Sequence, residues 1–527
     1  MKKIAFFDIE FNPKTESIQD IGCIKNDGAF YHKNSIEEFT EFVADQDYLC
    51  GHNIIFHDLK VIQKQKGNVR FGLDKAIDTL YLSPLLFPKT PYHSLLKDDK
   101  LQTEERNNPL NDSKKARDLF FDEVNTFGTL DEKLKSIYYN LLKDHVGFKY
   151  FFEFCDYSNP ISTIELEALI RSLFKGVICD KSDLTFLIKE NQISLSYSLS
   201  LLYCNDKYSI TPPWVLKNHP DVERILFLLR TNPCIAGCEY CDKALDPILA
   251  LNKYFGFSSF RSYGGVPLQE QAVKATVNNK SVLAVFPTGG GKSITFQIPA
   301  LMSGENAKAL TVVISPLQSL MKDQVDNLEK KGITDAVTIN GLLDPIERSK
   351  AIERVENGSA FLLYISPESL RSVTIERLLL KRKIARFVID EAHCFSSWGQ
   401  DFRVDYLYIG DFIKNLQEKK NLPDKIPVSC FTATAKQKVI EDIKEYFKSK
   451  LDLDLDVFRT DASRTNLQYR VFQKDNEEDK YAQLRNIIEL KECPAIVYVS
   501  RTKRAADLAK RLSEDGFNAR PIPWKNG

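Results

Sequence analysis

The feature that most constrains the fold is an alternation of short apolar runs with longer helical stretches in the second half of the chain. The apolar runs occupy residues 282–286, 310–314, 361–365, 387–389 and 428–431. Each run is too short for a helix, and the stretches between them have room for a helix that crosses to a neighbouring strand. Continuous apolar runs indicate strands buried on both faces. The pattern therefore predicts a parallel sheet covered by helices.

The segment 286–293, FPTGGGKS, follows the first apolar run and precedes a helical stretch. A glycine-rich loop binds phosphate in this setting. Backbone N–H groups would converge on the phosphates, Lys292 would reach the outer phosphate oxygens, and the Ser293 hydroxyl would hold Mg²⁺. A glycine-rich turn that binds nothing is the alternative, and the strict pattern has glycine where Phe286 stands. The expected nucleotide-binding residues are Thr288, Gly289, Gly290, Gly291, Lys292 and Ser293.

A second candidate site follows the run at 387–389, where Asp390 and Glu391 begin the tetrapeptide DEAH. Ligands bind at the carboxyl edge of a parallel sheet, so we expect both carboxylates to lie near the phosphate loop. Asp390 can hold Mg²⁺ through water, and Glu391 can orient and deprotonate an attacking water. A chance surface run is the alternative, but the position after a buried strand favours a catalytic role.

From about 251 to 499 the chain resembles the RecQ family of superfamily 2 DNA helicases. The resemblance rests on motifs that occur in order: YFGFSSFR at 254–261 with Gln269, the phosphate loop, SPLQSLMKDQ at 315–324, SPESL at 366–370, the DEAH box, and FTATA at 431–435. It implies that Phe257, Arg261 and Gln269 recognise adenine. Several extra residues, from Tyr263 on, separate Arg261 from Gln269 compared with the family.

The most diagnostic segment is CFSSWGQDFR at 394–403, which resembles the aromatic-rich loop after the DEAH box in this family. The resemblance implies that Trp398, Phe402 and Arg403 sense single-stranded DNA and couple it to ATP hydrolysis. Aromatic rings stack on bases of any sequence, and an arginine can meet phosphate or a ring face. Packing of Phe395, Trp398 and Phe402 into a core is the alternative.

The amino-terminal region carries a separate group of acidic residues. Asp8 and Glu10 lie two apart on a predicted strand, so both carboxylates face the same side. Asp58 ends the segment GHNIIFHD at 51–58, and Asp112 lies on a predicted helix. Four carboxylates could hold two Mg²⁺ or Mn²⁺ ions, which activate a water and stabilise the leaving oxygen in phosphodiester cleavage.

Over residues 3–122 this arrangement resembles the DEDD family of 3′-to-5′ exonucleases, which implies an RNase H-like domain. Histidine-type members carry a general base five residues before the last aspartate, and Asn107 stands at that position. An amide cannot accept the proton. His57 or His93 could replace the base, or the domain binds DNA ends without cutting them.

Cys234, Cys238 and Cys241 have the spacing of a radical S-adenosylmethionine iron–sulfur site. Those enzymes place the motif early in a barrel of strands, whereas this segment is helical and precedes the helicase-like motifs. A structural zinc site would need a fourth ligand, for which Cys204 and His219 are the candidates. Buried cysteines without a metal are the third alternative and the favoured one.

The 72 basic and 72 acidic side chains cancel, so nucleic acid would have to be bound by local patches. No apolar run approaches the about 20 residues of a membrane-spanning helix, and Asp8 interrupts the run nearest the amino terminus. Eleven cysteines without a secretion signal indicate reduced thiols. We therefore expect a cytoplasmic protein that binds no membrane.

These patterns predict an α/β multidomain chain with four regions. They are an RNase H-like exonuclease domain (1–125), a mostly helical connector (126–243), a RecA-like ATP-binding domain with the phosphate loop (244–452) and the start of a second RecA-like domain (453–527). By resemblance, the function is that of an ATP-dependent 3′-to-5′ DNA helicase in repair or recombination, acting on single-stranded and 3′-tailed duplex DNA and fused to an exonuclease-like domain.

The last region resembles the opening strand (495–499) and helix (503–512) of the second lobe, and the sequence stops before the motif that would supply an arginine finger. Such a finger contributes roughly 10³ to 10⁵ in rate in related enzymes. The alternative function is therefore an ATP- and DNA-binding protein without motor activity. The sequence therefore predicts that this chain alone binds ATP and DNA but shows little hydrolysis and no unwinding.

Overall fold

The computed structural model describes residues 2–66, 71–90, 93, 95, 108–204, 211–234, 237–396, 404–422, 424–433, 436–460, 468–474, 476–491 and 494–522, without the side chains of Lys66 and Lys491. Two compact units are present, Met1–Ala462 and Ser463–Gly527. None of the described helices combines the length and apolar character needed to cross a membrane.

The amino-terminal sheet has five strands in the order β3-β2-β1-β4-β5. Neighbours are antiparallel from β3 to β1 and parallel from β1 to β5. Phe6 faces a core that contains Phe120, whereas Phe7 faces a core that contains Phe39, so helices cover both sides. The strands are β1 (Ile4–Asn12), β2 (Ser17–Lys25), β3 (Phe30–Lys33), β4 (Tyr48–Gly51) and β5 (Ala76–Asp78).

Four helices accompany this sheet: α1 (Ile36–Phe42), α2 (Asp58–Lys66), α3 (Thr79–Leu86) and α4 (Pro109–Thr129). The Asn108 side chain accepts hydrogen bonds from the first turn of α4, and Pro109 has no N–H to leave unpaired there. The start of α4 lies directly on β2, because a Cβ at Gly22 would be 2.0 Å from the backbone nitrogen of Leu110. Only glycine permits that approach.

A mostly helical region follows the first sheet. Its apolar core is continuous with one face of the first sheet: Ile77 and Phe120 share a buried cluster with Tyr138, Leu199 and Leu226. The helices are α5 (Glu132–Leu142), α6 (Lys149–Phe154), α7 (Thr163–Leu173), α8 (Leu184–Glu190), α9 (Gln192–Tyr203), α10 (Pro213–Asn218), α11 (Asp221–Arg230), α12 (Glu239–Ala244) and α13 (Pro247–Phe255).

The second sheet has seven parallel strands in the order β12-β6-β11-β10-β7-β9-β8. All five predicted apolar runs form strands, and this confirms the parallel sheet covered by helices. The strands are β6 (Val282–Val285), β7 (Leu310–Ile314), β8 (Ala336–Ile339), β9 (Leu362–Ile365), β10 (Ile384–Ile389), β11 (Val428–Thr432) and β12 (Asp456–Arg459). The helices are α14 (Leu268–Val277), α15 (Lys292–Ala307), α16 (Gln318–Glu329), α17 (Pro345–Glu356), α18 (Val373–Leu380), α19 (Val404–Lys419) and α20 (Gln437–Leu451).

The edge strand β12 falls in the region that the sequence assigned to 453–527. It pairs with β6 and so belongs to this sheet, and the first compact unit continues to Ala462. Its residues are mostly exposed. For that reason it carries no continuous apolar run that the sequence pattern could reveal.

In the second unit the structure describes two helices, α21 (Glu477–Lys491) and α22 (Thr502–Glu514). The predicted helix at 503–512 is therefore present. The prediction of a strand at 495–499 was wrong, because these residues form neither a strand nor a helix, and the Ile496 and Tyr498 side chains are exposed. A strand needs a neighbour for its backbone N–H and C=O groups, and none of the described residues of this unit pairs with the segment.

Candidate functional sites

The glycine-rich loop joins β6 to α15 at the carboxyl edge of the seven-stranded sheet. Gly289 and Gly291 have φ values of 74° and 80°, in the region that favours glycine. A Cβ on Gly290 would lie 2.7 Å from the carbonyl oxygen of Pro287. Helix α15 begins at Lys292 without a capping side chain. Its first N–H groups can therefore bind an anion.

Three consecutive carbonyl groups of the loop accept hydrogen bonds from side chains of the segment 261–269. The pairs are Arg261 to Gly289 (2.5 Å), Tyr263 to Gly290, and Gln269 to Gly291 (2.8 Å). The Gln269 side chain also accepts from the backbone N–H of Arg261 at 2.8 Å. Arg261 and Gln269 are thus brought together against the loop, despite the extra residues between them. Their role in adenine recognition stays a prediction.

Phe286, which occupies the glycine position of the strict loop pattern, is buried and stacks on Tyr263 with ring centroids 5.0 Å apart. The extra residues fold back on themselves, because Tyr263 and Val266 pair as an antiparallel bridge. The Phe257 ring is about half exposed, and Lys331 Nζ lies 5.9 Å from its centroid.

The DEAH carboxylates lie across from the loop, at the end of β10. Lys292 Nζ is 3.6 Å from Glu391 Oε1. Glu391 has a φ of 49°, which is rare outside glycine and indicates local strain. The backbone of the neighbouring Asp390 is fixed by two hydrogen bonds of 2.9 Å. Its N–H donates to the carbonyl of Ile314, and its carbonyl accepts from the Tyr406 hydroxyl.

Burial, reinforced by Glu391, raises the pKa of Asp390 to about 6. The His393 hydrogen bond is the main cause that lowers the pKa of Glu391. His393 Nδ1 also lies 3.1 Å from Thr432 Oγ1 and so connects the DEAH box with the segment 431–435. These contacts keep Glu391 ionised beside Lys292.

Ser293 lies at the start of α15, where its hydroxyl accepts a hydrogen bond of 2.8 Å from Gln324 Nε2. A second lone pair on the same oxygen remains for a metal ion. Together with Asp390, this hydroxyl is the kind of oxygen donor that Mg²⁺ prefers. The site can therefore hold a nucleoside triphosphate with its metal between the loop and the DEAH box.

The aromatic-rich segment is only partly described. Trp398, Phe402 and Arg403 lie outside the described residues. Phe395 is buried, with the rings of Tyr446 and Phe447 at 4.6 and 5.2 Å. The packing alternative therefore holds for Phe395.

In the amino-terminal domain, Asp8, Glu10 and Asp112 offer carboxylate oxygens that all lie within 4.8 Å of one another. The close contact of α4 with Gly22, which pairs with Asp8 in the sheet, brings Asp112 to the two carboxylates of β1. Burial is the main cause that raises the pKa of Asp8 to about 8, and the neighbouring carboxylates raise it further. A cation would relieve this repulsion, so the donor set fits a divalent metal.

Asp58, the fourth predicted carboxylate, is not in that close group among the described residues. It is buried, it accepts a hydrogen bond of 2.8 Å from the Ile9 N–H, and its Oδ1 lies 3.4 Å from His57 Nδ1. Ile9 lies between Asp8 and Glu10, so this hydrogen bond fixes the part of β1 that carries the two carboxylates. Asp58 also lines the cleft that lies over Asp8, Glu10 and Asp112.

The cleft over these carboxylates has a volume of about 470 Å³, and its lining includes Trp214, which the sequence did not single out. Trp214 reaches it from the helical region, and His52 lies beside it. Burial lowers the pKa of His52 and of His93 to about 4. Asn107, at the expected base position, lies outside the described residues.

Cys234, Cys238 and Cys241 come together with a fourth cysteine, Cys179. The sequence had proposed Cys204 or His219 as the fourth member, and neither belongs to this group. Cys179 was missed because it is a lone cysteine far upstream, without a local motif to mark it.

The half of the chain that carries the loop and the DEAH box is similar to known helicases. Residues 266–443 match the family model for the DEAD/DEAH box helicase. "Probable ATP-dependent DNA helicase RecS" of Bacillus subtilis (strain 168) is 34% identical over 263 residues, which cover 50% of this chain and 49% of that protein. "ATP-dependent DNA helicase RecQ" of the same organism is 37% identical over 273 residues, 51% of this chain and 42% of that protein.

"ATP-dependent helicase SGS1" of Saccharomyces cerevisiae (strain ATCC 204508 / S288c) is 39% identical over 236 residues, 44% of this chain and 15% of that protein. The chain thus spans about half or less of the length of these relatives. Among solved structures, the DUF1998 helicase MrfA matches at 18% identity and a TM-score of 0.39, over 51% of this chain and 40% of that one. A TM-score this low supports no conclusion.

Proposed function

We propose that the protein is an ATP-dependent DNA helicase of the RecQ type, because residues 266–443 match the DEAD/DEAH box helicase family and 44–51% of the chain is 34–39% identical to the three helicases named above. The observation that carries the proposal is the 3.6 Å pairing of Lys292 with Glu391 across the gap between the phosphate loop and the DEAH box.

The Lys292–Glu391 ion pair suggests how binding prepares hydrolysis. When ATP occupies the loop, Lys292 would turn to the outer phosphate oxygens and release Glu391. The freed carboxylate, still oriented by His393, would position and deprotonate the attacking water. Ser293 and Asp390 would hold Mg²⁺, which neutralises charge on the phosphates.

We propose that the segment after the DEAH box couples the binding of DNA to ATP hydrolysis. Phe395 anchors its first residues in the core, and Trp398, Phe402 and Arg403 are the proposed contacts to single-stranded DNA. The link from His393 to Thr432 offers a route by which a shift of this segment could reach Glu391. The substrates would be single-stranded and 3′-tailed duplex DNA.

For the amino-terminal domain we propose metal-dependent 3′-to-5′ exonuclease activity. Asp8, Glu10 and Asp112 would hold Mg²⁺ or Mn²⁺, and Asp58 would support them through β1. Of the two histidines considered for the missing base, His57 is about half exposed at the cleft, whereas His93 is buried. This favours His57 as the group that accepts the proton from water.

The test of the helicase proposal is ATP hydrolysis by the purified chain with and without single-stranded DNA, followed by strand displacement on 3′-tailed and 5′-tailed duplexes. If the chain alone has the proposed motor activity, DNA should stimulate hydrolysis several-fold and only the 3′-tailed duplex should be opened. ATP binding without turnover in either condition would instead favour the alternative, an ATP- and DNA-binding protein without motor activity. Absence of ATP binding would contradict both.

A further inference from the structure

Four cysteines from three separate parts of the chain converge on one point. Cys179 follows α7, Cys234 follows α11, and Cys238 and Cys241 belong to the start of α12. Their sulfur atoms all lie within 4.8 Å of one another. No disulfide joins them, since each is a free thiol.

The backbone around these cysteines is held in place by a turn and by hydrogen bonds. Gly237 has a φ of 70°, and its N–H donates to the carbonyl of Cys234, which turns the chain back so that Cys238 approaches Cys234. The Cys241 N–H donates to the Cys238 sulfur at 3.4 Å. The Cys179 N–H donates to the carbonyl of Leu229 at 2.8 Å and ties the fourth thiol to the end of α11.

We infer that these four thiolates bind a single tetrahedral metal ion, most favourably Zn²⁺. Sulfurs about 2.3 Å from a zinc ion at the corners of a tetrahedron are about 3.8 Å apart, and the four sulfurs here all lie within 4.8 Å of one another. An iron–sulfur cluster binds each thiolate to a different iron and so spreads the sulfurs farther apart. The two-residue gap between Cys238 and Cys241 is also typical of zinc sites.

The position of the site indicates its role. Cys179 and Cys241 are buried in an apolar cluster with Leu251 of α13, Val273 of α14 and Ile298 of α15. Helix α15 begins with the phosphate-loop lysine. Because four protein ligands leave no open coordination position, the ion would be structural, and it would fasten the helical region to the helices that carry the nucleotide site.

The alternative fourth ligands have other partners. The Cys204 thiol donates to the carbonyl of Leu201. His219 packs among the rings of Tyr81, Tyr197 and Trp214. These contacts make Cys204 a matched control, because it is a partly exposed cysteine of the same helical region.

The test is the metal content of the full chain, purified without chelator and measured by mass spectrometry. We expect one zinc ion per chain in the wild type and in Cys204→Ser, and loss of zinc in Cys179→Ser and Cys238→Ser. Because a cysteine variant could lose zinc simply by failing to fold, a second measurement uses the wild-type chain alone. Replacement of zinc by Co²⁺ should give the visible absorption of a tetrahedral site with four thiolates.

Three outcomes would overturn the inference. The first is a wild-type chain that contains no zinc and gives no cobalt spectrum. The second is iron with acid-labile sulfide in place of zinc, which would indicate a cluster. The third is zinc that survives in Cys179→Ser but is lost in Cys204→Ser, which would assign the fourth ligand to Cys204.

Discussion

Arg382 Nε donates a hydrogen bond of 3.0 Å to Oε1 of Glu223, and both side chains are almost completely buried. The other oxygen of Glu223 accepts from the Lys383 N–H at 2.6 Å. Glu223 lies on α11 of the helical region, and Arg382 lies two residues before the start of β10 in the seven-stranded sheet. One buried ion pair therefore joins the two regions within the first compact unit.

Replacement of Glu223 by Ala should strongly destabilise this unit. The change leaves the Arg382 guanidinium buried without its counterion, and such a loss typically costs about 3–5 kcal/mol. The measurement is the urea unfolding transition followed by far-ultraviolet circular dichroism. Lys425→Ala, which removes an exposed ion pair with Asp452, is the control and should not shift the midpoint. Equal midpoints for Glu223→Ala and the wild type would show that the Glu223–Arg382 ion pair does not stabilise the first compact unit.

Lys292→Ala and Glu391→Gln should separate ATP binding from hydrolysis. In the proposed mechanism Lys292 would contact ground-state phosphates, so its loss should weaken ATP binding at least about tenfold. Glu391 would act on the attacking water, so its amide variant should bind ATP but not hydrolyse it. Titration with a fluorescent ATP analogue and a phosphate-release assay measure the two steps. Lys274→Ala, an exposed lysine paired with Glu270 on α14, should behave as wild type. Unchanged affinity in Lys292→Ala would rule out the phosphate-loop assignment.

Asp8→Asn and Asp112→Asn should each abolish removal of nucleotides from the 3′ end of DNA. Loss of a direct metal ligand should exceed the roughly 10- to 100-fold effect typical of outer-shell partners. The assay follows a 5′-labelled oligonucleotide with Mg²⁺ or Mn²⁺. Asp118→Asn, an exposed carboxylate on the same helix α4, is the matched control. Cleavage that persists in both site variants would exclude the carboxylate site, and a wild type inactive with either metal would favour a domain that binds DNA ends without cutting.

Glu123 should make the stability of the first unit depend on pH. Its side chain is fully buried, and neither carboxyl oxygen has a hydrogen-bond partner among the described residues. Burial raises its pKa well above the ordinary value, and Asp78 and Asp122 raise it further. The folded state thus holds a proton that the unfolded chain releases near pH 4.5, so this stabilisation is lost as the pH rises from there towards the folded pKa.

Glu123→Gln should remove that dependence, because a neutral amide has no proton to lose. Relative to the wild type, the variant should become more stable as the pH is raised from 5 to 8. Urea unfolding at several pH values measures the difference, with the exposed Glu418→Gln as control. Parallel curves for Glu123→Gln and the wild type would show that Glu123 does not keep its proton on folding.

The sequence predicted best what local pattern determines. The loop at 286–293 and the DEAH box come directly after buried strands, so the parallel sheet alone brings Lys292 near Glu391. Contacts between distant segments could not be predicted in this way. Cys179 carries no motif, and the role of Gly22 appears only when α4 lies against β2.

The failures have equally specific causes. The apolar residues at 495–499 suggested a strand. A strand forms only beside a neighbouring strand, and the residue pattern of a single segment does not show whether such a neighbour exists. The edge strand β12 was missed for the opposite reason, since it pairs with β6 although its side chains are mostly exposed. Trp398 and its neighbours in the aromatic-rich segment lie outside the described residues, so their role stays a prediction.

The side chains of Arg261, Tyr263 and Gln269 occupy three successive carbonyl groups of the phosphate loop. A glycine-rich segment would otherwise sample many conformations and would lose that freedom each time a nucleotide bound. With its carbonyls already engaged, the loop is preorganised, and less of the binding free energy is needed to order it. The extra residues that carry Tyr263 would then raise the affinity for nucleotide without touching it.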